Sequence, residues 1–279
     1  MADALIDVPA DLRAELESTA VELALLAGAE ITAAISRPFE VAYKSAVDVA
    51  DDFRNPVSEV DRRCEVLVRA RLAERFPDHD IIGEEMEERS GRPSDFIWAI
   101  DPIDGTANFI NGFPLYAASI GLLYRGYPLV GAVWCGSTHA LRAGVYHGSR
   151  GGGLRFDGQP FVRRTQTSIR RHLAGEPTGG AFPHLPWDVR QTGSAAIECA
   201  FTAAGLMRLT RLETPNLWDV AGGVALVLAA GGVTLQRRGE GWIPFERFEA
   251  TPDLSRWRGA LLLGDAAAAE LYVAGAPTS

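Results

Sequence analysis

Cysteine is nearly absent from this chain: three in 279 residues, Cys64, Cys135 and Cys199, far apart along the sequence. No CxxC pair and no Cys/His cluster occurs, which excludes a zinc ribbon and a disulfide framework, and isolated thiols fit a reducing compartment. Positive charge is also in short supply. Lys and Arg number 27 against 36 Asp and Glu, a net charge of −9, and no basic run forms a nucleic-acid footprint. The Arg residues of 150–171 are the densest basic stretch and read as solvated surface. The first residues, Met1-Ala-Asp-Ala-Leu-Ile-Asp7, are acidic where a secretory leader is basic. One uncharged run, 220–236, holds seventeen residues with four glycines between Asp219 and Arg237. It is short for a bilayer and fits a buried helix running into a strand. Nucleophile and nucleotide signatures are missing as well. There is no GxSxG and no Cys beside a His base, and the glycines at 151–153 lack the GxxxxGK[ST] of a P-loop. These absences leave a soluble, cytoplasmic protein with no nucleic-acid or membrane partner as the expectation.

What is present is globular: 47% hydrophobic and 23% charged residues in a length that suits one large domain or two modest ones sharing a core. Leu12, Leu16, Ala20, Leu23, Ala27, Ile31 and Ile35 recur at helical spacing, which predicts an amphipathic helix over 11–36, ended by Pro38. Residues 39–54 are polar and read as an exposed loop or hairpin. Asn55 followed by Pro56 predicts the start of a second helix, with Ser58-x-x-Asp61 in its first turn, and Phe76-Pro77 stops it. Strands are expected at 80–82, 96–100, 117–124 and 127–135, the last two joined by a hairpin at Arg125-Gly126, then at 143–146 and 152–156. Residues 163–191 show little periodicity. After them, helix 194–204, strand 206–212, helix 218–230 and strand 233–236 alternate as an α/β unit. The pattern divides the chain into an α+β subdomain over 1–155, dominated by an antiparallel sheet, and an α/β subdomain over 156–279.

The richest segment is Trp98-Ala-Ile-Asp-Pro-Ile-Asp-Gly-Thr-Ala-Asn-Phe109. Asp101 ends a buried strand, Pro102 stiffens the turn, and Asp104 is aimed back toward Asp101. Gly105 and Thr106 then open a helix or tight turn whose N–H groups can hold an anion. Carboxylates beside an anion cradle repel what the cradle attracts, unless a hard cation stands between them, and Mg²⁺ takes such oxygen ligands. Asp-x-x-Asp alone is equally a turn motif, in which Asp caps the chain. Glu84-Glu85 and Asp219 each follow a regular element, where rigid backbone holds a ligand in place. Each like-charge pair at about 4 Å costs on the order of 4 kcal/mol at an effective dielectric of 20, a penalty that bound cations remove. Read singly, Glu84-Glu85 is also a solvated loop and Asp219 a helix N-terminal charge.

Gly83-Glu84-Glu85, the segment 98–109 and Trp218-Asp-Val-Ala-Gly-Gly223, in that order, resemble the inositol monophosphatase family: its GEE, its WxxDPIDGTxNF signature and its late WDxAxG. Asn55-Pro-Val-Ser-Glu-Val-Asp61, Gly193-Ser-Ala195 and the Gly-rich turn from Gly151 to Pro160 are similar to further family elements. The resemblance covers nearly the whole chain, from about residue 12 to 236. The resemblance implies a layered α-β-α-β-α sandwich of the inositol monophosphatase/fructose-1,6-bisphosphatase type, and a homodimer.

It also implies roles. Glu85, Asp101 and the Ile103 carbonyl would hold a first Mg²⁺, and Asp101, Asp104 and Asp219 a second, with a third, weaker ion beside Glu85. Asp61 and Thr106 would orient and deprotonate the attacking water. The N–H groups of Gly105, Thr106 and Ala107 would hold phosphate. Gly193, Ser194, Ala195 and Glu213 would meet the rest of the substrate, together with Asp104 and Asp219, and Lys44 would match a loop lysine. Three departures stand out: Asn55 and Ser58 replace Asp and Thr, the Glu213-to-Asp219 spacing differs by one residue, and the 159–192 segment is short. The implied activity is Mg²⁺-dependent hydrolysis of a small phosphate monoester. Inositol-1-phosphate comes first, with histidinol phosphate, fructose-1,6-bisphosphate and 3′-phosphoadenosine 5′-phosphate as alternatives on the same scaffold. A non-catalytic regulator that keeps the fold is the competing class, and the intact set of carboxylates argues against it.

Overall fold

Alternating apolar residues on the central strands feed two separate cores, and this alternation sets the layering. The computed structural model describes residues 8–43, 56–89, 93–163, 168–169, 172–177, 186–249 and 253–275. Lys44 and Asn55 lie outside the described residues. The first half runs through helix α1 (Ala10–Ile35), strands β1 (Val41–Tyr43) and β2 (Pro56–Ser58), helix α2 (Glu59–Arg75), strands β3 (Asp80–Gly83) and β4 (Phe96–Asp104), and the short helix α3 (Thr106–Ile110). Strands β5 (Ala117–Tyr124), β6 (Tyr127–Cys135), β7 (Gly144–Ser149), β8 (Gly153–Phe156) and β9 (Gln159–Pro160) follow. The second half comprises β10 (His172–Gly175), β11 (Trp187–Arg190), α4 (Ala195–Ala203), β12 (Leu209–Leu212), α5 (Leu217–Ala229), β13 (Val233–Arg238), β14 (Gly241–Pro244), β15 (Leu261–Gly264) and α6 (Ala266–Gly275).

Strands β3 to β9 form a seven-stranded sheet in sequence order, antiparallel except for the parallel β3–β4 pair. Trp98 and Ile100 of β4, Ile120 and Leu122 of β5, and Val130, Ala132 and Trp134 of β6 point to one face, where Leu16, Leu23 and Ile31 of α1 and Cys64, Val68 and Leu72 of α2 cover them. Their neighbours Ala99, Ala117, Val133 and Cys135 point to the other face, against α4 and α5. The same helices meet Leu212, Leu261 and Leu263 of a six-stranded sheet ordered β11-β10-β12-β15-β13-β14. Leu209 and Leu262 face outward from that sheet, onto Ala268, Ala269 and Tyr272 of α6. The result is the expected α-β-α-β-α sandwich.

Several expectations are corrected. Pro56 does not open a helix: 56–58 is strand, paired antiparallel with β1, and Ser58 is the cap of α2. The extended backbone pairs with β1, and the Ser58 hydroxyl supplies the hydrogen bonds that open α2 later than expected. Strand β4 runs on through Asp104, four residues beyond the expected end, with a break in its register against β5 between Asp101 and Asp104. Pro102 has no N–H to give the ladder, which is where such a break belongs. The aperiodic stretch holds two short strands, β10 and β11, parallel to each other. Among the described residues, α1 is the one helix long and apolar enough to cross a membrane. Its apolar residues instead cover the first sheet, whereas the uncharged 220–236 run is a buried helix leading into a strand, as read from sequence.

Candidate active site

Two helix caps and one interrupted strand bring the acidic side chains toward each other. At the start of α2 the Ser58 hydroxyl accepts from the Val60 amide at 3.2 Å, and Asp61 reaches back to accept from the Ser58 amide at 2.8 Å and its hydroxyl at 2.5 Å. This is a capping box with Asp in the place usually held by Glu or Gln. It occupies Asp61 Oδ2 and leaves Oδ1 to accept from the Thr106 hydroxyl at 3.1 Å. Asp61 is fully buried, and burial pushes its pKa up to about 6, against the opposing pull of the Ser58 and Thr106 hydrogen bonds.

Asp101 and Asp104 sit either side of the β4 register break. Gly105 follows with φ of 88°, a left-handed conformation that glycine adopts without a Cβ penalty, and it turns the chain into α3. The Thr106 hydroxyl lies 2.8 Å from the Ile103 carbonyl as well as near Asp61, so its one proton serves one acceptor at a time. Asp104 Oδ2 accepts from the Ser194 hydroxyl at 2.7 Å and from the Ala196 amide, both at the start of α4. Asn108 pins that loop in place, donating to the Leu115 and Thr192 carbonyls at 2.6 and 2.7 Å.

Asp219 arrives from the second half. It lies in the first turn of α5 and accepts from the Asn216 amide at 2.8 Å. Alpha5 can sit this close because its backbone touches the first sheet: a Cβ on Gly131 would lie 2.1 Å from the Gly222 carbonyl oxygen, and one on Gly121 would lie 2.5 Å from the Gly222 amide.

The carboxylates are electrostatically one group. Burial raises Asp101 well above the ordinary carboxylate range, with Glu84, Asp104, Asp219 and Asp61 adding to the shift. Burial is also the main cause for Asp104, pushed up to about 6, and for Asp219, pushed up to about 8 with Asp104 next in weight. The charge of Glu84 bears on all four aspartates. The amide of the adjacent Glu85 is tied at 2.8 Å to the buried Glu65, which anchors the segment that carries both glutamates. Glu84 also borders a cleft of about 380 Å³ shared with Trp218 and Arg89.

The donor set suits a hard cation. Asp101 Oδ1 is buried without a hydrogen-bond partner, a costly state for a carboxylate oxygen that a bound ion would relieve. Among the described residues, no three acidic, His or Cys side chains already stand close enough to hold an ion. Asp104 accepts from Ser194 and Ala196 and Asp219 from Asn216, contacts made at the starts of α4 and α5. Of the remaining expected residues, Gly193 and Ala107 are exposed. Ala195 follows the Ser194 cap of α4. Glu213, at the end of β12, is paired with Arg211 at 3.0 Å and Arg237 at 4.0 Å. Sequence reading missed Glu65, Arg69 and Asn108. The first two carry a visible signal, an i,i+4 acid–base pair on α2, while the Asn108 contacts span segments far apart in sequence.

Stacked sheets around a shared helical layer, with buried carboxylates gathered where the two halves meet, are the features of a metal-dependent phosphatase. The chain belongs to the inositol monophosphatase family, whose model matches residues 12–267. It is 30% identical over 246 residues to the chloroplastic phosphatase IMPL1 of Arabidopsis thaliana, a match that covers 81% of this chain and 64% of that protein. Inositol monophosphatase 1 of Solanum lycopersicum is 32% identical over 260 residues, covering 85% of this chain and 90% of that one. Among solved structures, the inositol monophosphatase of Anabaena superposes with a TM-score of 0.68 at 26% identity, covering 90% of both chains.

Proposed function

We propose that the chain is a Mg²⁺-dependent phosphomonoesterase acting on a small phosphorylated polyol, with inositol-1-phosphate as the first candidate substrate. The observation that carries this reading is the buried, unpartnered Oδ1 of Asp101 amid Asp104, Asp219 and Glu84. Two to three Mg²⁺ ions would be held by Glu85, Asp101, Asp104, Asp219 and the Ile103 carbonyl, with the charge of Glu84 adding to the same cluster. Bound there, they supply charge neutralisation for the phosphoryl group and acidify water.

The chain's own residues do the rest. Thr106 orients the attacking water through its hydroxyl, and the proton passes to Asp61 Oδ1. A pKa raised to about 6 leaves Asp61 able to accept that proton at neutral pH. The amides of Gly105, Thr106 and Ala107 hold phosphoryl oxygens. Asp104 is aimed by Ser194 and Ala196 at the ester side, and Gly193, Ser194, Ala195 and Glu213 contact the alcohol. Arg211 and Arg237 pair with Glu213 and hold its carboxylate in place. The DPIDGT and WDVAG forms favour an inositol phosphate over a nucleotide. We place the enzyme in the cytoplasm, as a homodimer, with light scattering at twice the chain mass as the check.

The test is phosphate release from inositol-1-phosphate, histidinol phosphate, fructose-1,6-bisphosphate and 3′-phosphoadenosine 5′-phosphate at millimolar Mg²⁺. Highest kcat/KM is expected for inositol-1-phosphate. Asp101→Asn, which keeps the shape and removes the charge, is expected to lower it at least about a hundredfold, since several kcal/mol of transition-state stabilisation depend on the ions. No release from any of the four esters overturns the enzyme reading, and a higher kcat/KM for another ester replaces the substrate.

A further inference from the structure

Asp61 and Glu84 reach the acidic cluster from different segments, yet one helix fixes both. Four residues after Asp61 on α2 stands Glu65, fully buried. One of its oxygens accepts from Arg69 Nε at 2.7 Å and the other from the Glu85 amide at 2.8 Å. The rest of the Arg69 guanidinium reaches the same loop: Nη1 donates to the Glu88 carbonyl and Nη2 to the Met86 carbonyl, both at 2.8 Å. Gly83 leaves room for the Glu65 carboxylate, since a Cβ there would lie 2.1 Å from it. The far end of the loop is tied too, through Arg89 to Asp80 and, at 3.2 Å, to Asp253 of the second half. Every nitrogen of the Arg69 fork therefore serves a separate acceptor, and all three acceptors hold the segment that carries Glu84. A loop needs no such clasp merely to connect two strands. A clasp of this kind is what a loop needs to present one carboxylate in a fixed place.

We infer that Arg69, acting through Glu65 and the 85–88 backbone, is a positioning residue that holds the Glu84-Glu85 segment at the cation site and thereby sets the affinity for divalent ions. The inference rests on the proposed role of this acidic pair in holding the ions.

Mn²⁺ binding to the full chain, followed by the electron paramagnetic resonance signal of the free ion, tests it without reference to activity. Arg69→Ala is expected to weaken Mn²⁺ binding about 10–100-fold, the usual cost of losing a residue that orients a ligand, and to speed hydrogen exchange of the Glu85 amide. Arg69→Lys keeps the charge and loses the planar fork, so it is expected to fall between. Arg71→Ala removes an exposed arginine of the same helix, paired with Glu22 and Glu74, and is expected to bind as the parent does. Parent-like Mn²⁺ affinity in folded Arg69→Ala or Arg69→Lys overturns the inference while leaving the active-site reading intact. A parent chain that binds no Mn²⁺ overturns both.

Discussion

Asp101 is buried at the point where β4 loses its register, with one oxygen out of reach of any donor. A side chain selected for folding alone would not be an acid there, because burial without a partner costs several kcal/mol. Thr106 is the complementary case, a hydroxyl with two acceptors and one proton, placed between Asp61 and the Ile103 carbonyl. Thr106→Val preserves volume and removes that hydroxyl. It is expected to lower kcat by about 10²–10⁴-fold, the range for losing a general acid–base contact, with KM and Mn²⁺ affinity little changed. Steady-state kinetics beside an Mn²⁺ titration separates the two effects. An unaltered kcat would remove Thr106 from the proton path. Both residues were legible in the sequence, because Asp-Pro-Ile-Asp-Gly-Thr compresses the strand end, the turn and the hydroxyl into one stretch. The anchoring of the Glu84-Glu85 segment was not, because it depends on a contact to Glu65, about twenty residues away.

At the scale of elements, two functional acids are also helix-capping acids. Asp61 and Asp219 each stand in the first turn of a helix and bond back to the cap, at Ser58 and Asn216. Cap and site share atoms, so a change in one is felt in the other. Ser58→Ala is expected to cost about 1 kcal/mol, lowering the melting temperature by about 2–4 °C for a chain of this size. It also removes the hydroxyl donor that, beside the residue-58 amide, holds the Asp61 pKa down, so that pKa climbs further above about 6. The acid limb of the kcat–pH profile is then expected to move to higher pH, and a limb that stays in place would separate capping from catalysis. The sequence displayed Ser58-x-x-Asp61 plainly but misplaced the helix start at Asn55-Pro56, because Pro suits a first helical turn and an extended strand equally well. Only pairing with β1 settles the choice.

The whole molecule carries an unusual pH signature. Asp61, Asp104, Asp219 and Glu198 are all pushed up, to about 6, 6, 8 and 8, each chiefly by burial. Between the ordinary carboxylate range and these values, the folded chain binds more protons than the unfolded chain. Stability therefore falls as pH rises through that window, the reverse of a protein held by ionised, salt-bridged acids. Without divalent ions the melting temperature is expected to drop from pH 5 to pH 8, and Mg²⁺ to restore it most at pH 8, where Asp61 and Asp104 have lost their protons and Asp219 is losing its own. Calorimetry with EDTA and with Mg²⁺ checks this, and a metal-free melting temperature that rises toward pH 8 would contradict it. By itself the sequence determined the reaction class and most strands and helices, because motifs and period-2 or period-3.6 alternation are local. It singled out Asp101, Asp104, Thr106 and Asp61 as candidate site residues for the same reason. Tertiary structure decided what local pattern cannot hold. It set the layering around α4 and α5, the approach of Asp219 through the Gly222 contact with Gly121 and Gly131, and the anchoring of the Glu84-Glu85 segment by Glu65 and Arg69. Each of these depends on contacts between segments far apart in the chain, whose energies no window of neighbouring residues contains.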